Sequence, residues 1–121
     1  MKRLILLTVM VAACTLTAFT SVNSSGIFGT GLRITVIDEL GNPVEGAVVR
    51  LFESDEDYKA SENEVDEAQV SDDKGRVTFK ELESRVYYID ARKDKMNNNG
   101  AGVQTDKLME NRLNKVNIVI E

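Results

Sequence analysis

No histidine occurs anywhere in the 121 residues. That absence excludes a Ser-His or Cys-His nucleophile pair, a histidine general base and a histidine-bearing zinc site. Tryptophan is also missing, and cysteine and proline occur once each. With Cys14 as the only thiol, no disulfide can form within the chain. Basic residues are outnumbered, 15 against 20 acidic ones. Removal of an N-terminal segment carrying Lys2 and Arg3 leaves 13 against 20, a net charge of −7. A chain of that sign is expected to repel polyanions, so nucleic acid and anionic lipid headgroups are not its expected partners.

What the chain does have begins with an export segment. Met1-Lys2-Arg3 leads directly into the apolar run Leu4 to Ala13, the charge and length pattern of a signal peptide, which we place at residues 1–20. A retained membrane anchor is the alternative. It is disfavoured because six Thr, Ser or Cys residues between Thr8 and Ser21 dilute the run below what a spanning helix requires. Val11-Ala12-Ala13-Cys14 resembles the lipobox of bacterial lipoproteins, which makes Cys14 the candidate lipidation residue. Cleavage further on, between Ala18 and Ser25, would instead remove Cys14 and release a secreted protein. The product is then either a lipoprotein of the periplasm, outer membrane or cell surface, or a secreted protein, and both readings stay open.

Residues 21–31 are rich in Ser and Gly and read as a flexible tether, followed by one domain over 32–121. There, apolar residues recur at every second position, the period of a half-buried strand. Leu32, Ile34 and Val36 share a face of the first strand; Ala47, Val49 and Leu51 share a face of the second, with Val48, Arg50 and Phe52 opposite. The segment from Glu53 to Asp73 holds ten carboxylates and one lysine and reads as mostly loop. It has room for a one- or two-turn helix capped by Ser54, and for a short edge strand over 68–71. Val77 and Phe79 face inward from the next strand; Tyr87, Ile89 and Ala91 face inward from the one after. Met96 to Gly102 reads as a flexible loop, and 115–121 as a closing strand with Val116, Ile118 and Ile120 inward. Turns are marked by Asp38-Glu39-Leu40-Gly41-Asn42-Pro43 and Asp72-Asp73-Lys74-Gly75. Short strands at this spacing, without a helix-length amphipathic pattern, predict an antiparallel Greek-key β-sandwich of about seven strands.

Two stretches carry a resemblance. Ile34-Thr35-Val36 followed by Asp38 to Val49, and Ser71 to Leu82 followed by Tyr87-Tyr88-Ile89-Asp90-Ala91, resemble carboxypeptidase-regulatory-like and Cna-B-type domains. In particular they are similar to small exported proteins of that family from Bacteroidetes-type bacteria. The resemblance covers Leu32 to Ala91 and implies a prealbumin-like, Ig-like sandwich. It implies no activity, because such modules host unrelated roles. Transthyretin-like hydrolases of ureide rings resemble this fold and depend on histidines, which this chain lacks. Some Cna-B domains also carry a Lys-to-Asn bond across the sandwich. Asn117 lies in the last strand, but no lysine occurs between Arg3 and Tyr58, so no isopeptide bond is expected and Asn117 is expected to face solvent.

The remaining chemistry is sparse. Asp55-Glu56-Asp57 and Asp72-Asp73 are the places where calcium could sit, but their spacing is not that of an EF-hand loop, and a solvated acidic loop is expected instead. Tyr58, Tyr87 and Tyr88 are the candidates for recognition, with Tyr87 expected in the core. No cofactor, metal or catalytic set is expected. The sequence points to a non-enzymatic exported envelope or secreted protein, a binding or structural module whose partner is a protein or glycan at the cell envelope. The alternative is a small-ligand carrier that assembles through sheet edges, as transthyretin does; a hydrolase using carboxylates alone comes third.

Overall fold

The computed structural model describes residues 29–121. The signal peptide, Cys14 and residues 21–28 of the tether therefore lie outside the described residues. Seven strands and one short helix follow in order: β1 (Thr30–Ile37), β2 (Val48–Phe52), α1 (Asp55–Ala60), β3 (Gln69–Val70), β4 (Arg76–Leu82), β5 (Tyr88–Lys93), β6 (Met96–Asn97) and β7 (Leu113–Val119). They form two sheets, β4-β1-β7 and β3-β2-β5-β6. The sandwich is as the alternation predicts, with β1 beginning two residues earlier than expected.

The core lies between the sheets. Leu32, Ile34, Val36, Phe79 and Ile120 face Val49, Leu51, Ile89 and Ala91, all fully buried. The longer strands β1, β2, β4, β5 and β7 contribute alternate residues, so the seam between the sheets is apolar while the intervening positions face outward. One pairing departs from the antiparallel expectation: β1 and β7 run parallel, Ile34 beside Val116 and Val36 beside Ile118. The reason is topological. First and last strands become neighbours in one sheet, and their common direction follows from the number of crossings the chain makes between them. Val116 is only half-buried, because β7 is an edge strand.

Two turns share one construction. Asp38 Oδ1 accepts from the amides of Leu40 and Asn42, each at 2.9 Å, and Asp72 Oδ1 accepts from those of Lys74 and Arg76, also at 2.9 Å. In both, the glycine three residues on donates its amide to the aspartate carbonyl, and its φ is positive, +89° at Gly41 and +76° at Gly75. The Asp side chain mimics a backbone acceptor and the glycine takes the left-handed conformation that closes the loop.

The segment from Met96 to Gly102 corrects the expectation of a flexible loop. Met96 and Asn97 pair with Lys93 and Arg92. Asn98 is fully buried; its Nδ2 donates to the carbonyls of Ile89 and Gly102, and its Oδ1 accepts from the Ala91 amide. A run of three asparagines gives no hydrophobic signal, so only the folded backbone reveals that the middle one bridges β5 to the loop.

Candidate functional site

The short helix shapes the most featured surface of the domain. Ser54 caps it, its Oγ accepting from the Asp57 amide at 3.0 Å, and the acids Asp55, Glu56 and Asp57 occupy the positive end of the helix. α1 lies over the outer face of β2 and β5. It covers Phe52, which is fully buried although alternation places it on the outward side of β2 with Val48 and Arg50. Tyr58 packs edge-on against Phe52 at a centroid distance of 6.0 Å and donates its hydroxyl to Asn99 Oδ1 at 2.5 Å. Burial raises the Tyr58 pKa, and the nearby Asp90 charge raises it further.

Beside this aromatic pair lies the one nearly buried carboxylate on that face. Asp90 is 3% exposed and is held between two guanidiniums: Arg50 Nη2 reaches its Oδ2 at 2.9 Å and Arg92 Nε its Oδ1 at 2.9 Å. The Arg50 guanidinium also sits 5.6 Å from the Phe52 ring centroid and 3.9 Å from Glu64. Next to the cluster is an open depression lined by Gly46, Val48, Arg50, Asp90, Arg92, Lys93 and Asp94. Lys93 Nζ donates to the Glu45 carbonyl at 2.6 Å. Both oxygens of Asp90 are thus engaged by permanent cations, and the carboxylate serves to position the two arginines.

Solved structures give the comparison. The chain is similar to a Streptococcal ancillary pilin (TM-score 0.58, 18% identity, 77% of this chain and 32% of that one) and to the pilus 2b backbone protein of group B streptococcus (TM-score 0.51, 15% identity, 76% and 40%). The likeness is one of fold. This chain spans about a third of the first protein and two fifths of the second, matching a β-sandwich domain in each. No family model matches the chain and no curated protein does.

The residues singled out in the sequence are scattered over this sandwich. Tyr87 is core, 1% exposed; its hydroxyl oxygen accepts from the Glu83 amide and pins the turn before β5. Tyr58 belongs to the α1 cluster, and Tyr88 is half-buried opposite Phe52. Asp55 is paired with Lys59 at 2.9 Å, Asp57 accepts from Asn63, and Asp72 is engaged in its turn. Among the described residues, no three acidic side chains converge to hold a metal ion. Asn117 is exposed and beside Thr35 on the outer face, with the apolar Ile34, Val36 and Ile118 filling the inner one. Sequence reasoning missed the Arg50, Asp90 and Arg92 cluster. Its signal was the β5 alternation Tyr88-Asp90-Arg92, but only the pairing of Arg50 with Asp90 across β2 and β5 brings the charges together. Among the described residues no helix is long and apolar enough to cross a membrane.

Proposed function

We propose that this chain is a non-enzymatic module of the cell envelope, exported by its N-terminal segment, that works by binding or by structural support. The observation that carries the reading is the use made of the buried polar groups. Ser71 donates to the Val44 carbonyl and accepts from the Ala47 amide; Thr105 accepts from the Tyr87 amide; Asn98 and Asp90 are committed as described. Each holds a strand or loop in place, and among the described residues no buried side-chain donor or acceptor lacks a partner. A group poised for general acid or base work would need a free face toward a cleft.

The pilin-type fold supports a structural or adhesive role, and the two Asp-x-x-Gly turns with the Tyr87-Tyr88-Ile89-Asp90-Ala91 strand support membership of the carboxypeptidase-regulatory-like group. Anchoring by a diacylated Cys14 is part of the proposal; mass spectrometry of the membrane fraction tests it, and a mature N-terminus beyond Cys14 removes it. Incubation of the purified domain with glycan and ester substrates tests the rest. No turnover is expected, and a turnover lost in Asp90→Asn would overturn the reading.

A carrier that assembles through sheet edges is the second reading. It is favoured by β7, whose seven residues lie at the edge of their sheet. Sedimentation showing only a monomer would remove it.

A further inference from the structure

The outer face of the β4-β1-β7 sheet is basic, against the sign of the whole domain. The strand register puts Thr78, Arg33 and Lys115 in one row across the three strands, and Arg76, Thr35 and Asn117 in the next. Lys80 follows on the same side of β4. Among the described residues none of Arg33, Arg76, Lys80 and Lys115 takes part in an ion pair. Asp72 and Asp73, in the turn before Arg76, line one depression with Arg33, Arg76 and Thr78, while Glu81 follows Lys80 and Glu39 and Glu121 stand past the Ile37–Val119 pair. Net charge alone therefore does not describe this surface.

Arg33 and Lys115 are direct cross-strand neighbours on that face. Like charges so placed oppose folding, and among the described residues neither makes an ion pair with a carboxylate.

We propose that this face binds a carboxylated polysaccharide, laid across the three strands. The inference rests on the binding-module reading above and names the partner. A second copy laid face to face would set these cations against their own counterparts, so a narrow anionic chain fits better. A peptide recognised through its backbone would pair along a free strand edge instead, and tighter binding of an acidic peptide to this face would overturn the proposal. The face carries no aromatic ring, which leaves single-stranded nucleic acid without its stacking platform. Thr35, Thr78 and Asn117 stand between the cations as neutral hydrogen-bonding partners for sugar hydroxyls, while Arg33 and Lys115 meet carboxylates.

The test is calorimetric titration of the mature chain with hexagalacturonate at low ionic strength and at about 0.15 M salt. Binding that weakens with salt is expected. It should fall about tenfold in the Arg33→Gln/Lys115→Gln variant and stay unchanged in Lys107→Gln, on a loop away from the face. The double variant removes two exposed or half-exposed charges and should melt no lower than the parent, so loss of binding is not loss of fold. Absence of binding by the parent, equal binding by the double variant, or equal binding of neutral maltohexaose overturns the proposal. So does tighter binding of an oligothymidylate of equal charge, or salt-sensitive self-association in sedimentation. None of these outcomes touches the non-enzymatic reading, which the turnover assay decides separately.

Discussion

Gly75 lies against the Val36 carbonyl so closely that a Cβ at Gly75 would stand 2.5 Å from that oxygen. It would also meet the Val44 amide nitrogen at 3.1 Å and Pro43 at 3.2 Å. Two of these three obstacles are backbone atoms, and φ at Gly75 is +76°. The β3–β4 turn is therefore packed onto the end of β1, where the Val36 amide donates to the Gly75 carbonyl at 2.7 Å.

Gly75→Ala should cost about 3 kcal/mol, strain at positive φ plus displacement of the Val36 and Val44 backbone. Gly41→Ala, in the twin turn at φ +89° with nothing within 4 Å of the added Cβ, should cost only about 1 kcal/mol. Urea denaturation of both variants measures the difference; equal losses would show that the close approach is unimportant.

Asn98→Ala should destabilise the domain by about 2 to 4 kcal/mol, because it strands the Ala91 amide and the Ile89 carbonyl in a buried place. Hydrogen exchange is the sharper readout. The Ala91 amide should lose protection well beyond the global loss, and unchanged protection there would contradict the role assigned to Asn98.

Asp90 and Arg50 should prove energetically coupled. A double-mutant cycle with Asp90→Asn and Arg50→Met is expected to give a coupling of about 1 to 2 kcal/mol, since Asp90 is nearly buried while Arg50 remains partly in water. Additive effects would show that the 2.9 Å contact carries no weight.

Lys115→Glu should raise the melting temperature, by replacing a like-charge neighbour of Arg33 with an opposite one, at about 0.5 kcal/mol that shrinks as salt is added. Thermal melts at two ionic strengths check it. The same variant should lose affinity for hexagalacturonate, a gain in stability joined to a loss of binding.

Acid should act through the turns. The Asp38 pKa is lowered, chiefly by the hydrogen bond from the Asn42 amide, and that of Asp72 by those from the Arg76 and Lys74 amides. A folded-state pKa below the unfolded one means stability that is present above about pH 4 and lost as pH falls through the folded value. Glu39 has the opposite sign: its hydrogen bond and repulsion with Glu121 raise its pKa, so lowering pH through that raised value relieves the pair. Mild acidification should thus protonate Glu39 first while both turns hold. Carboxyl NMR titration should find Glu39 titrating above Asp38 and Asp72, and the reverse order would refute the assignment.

The short-range features were legible before folding was considered. Alternation at Leu32, Ile34 and Val36, and at Tyr87, Ile89 and Ala91, names the inward faces because side chains in a strand change side at every residue. The two Asp-x-x-Gly turns and the Ser54 cap are likewise local, set by what neighbouring side chains and amides can reach. The burial of Asn98 was not legible, nor was that of Phe52, because each depends on what a distant segment lays over it.

The sequence by itself determined the strand faces, the turns and the exclusion of histidine chemistry, all read from composition or from adjacent residues. Tertiary structure alone decided the parallel seat of β7 beside β1, the enclosure of Asp90 by Arg50 and Arg92, and the gathering of Arg33, Arg76, Lys80 and Lys115 on one face. The physical reason is that charge and hydrogen-bond partners act over a few ångströms in space, and only strand register brings residues some 40 to 80 positions apart within that range.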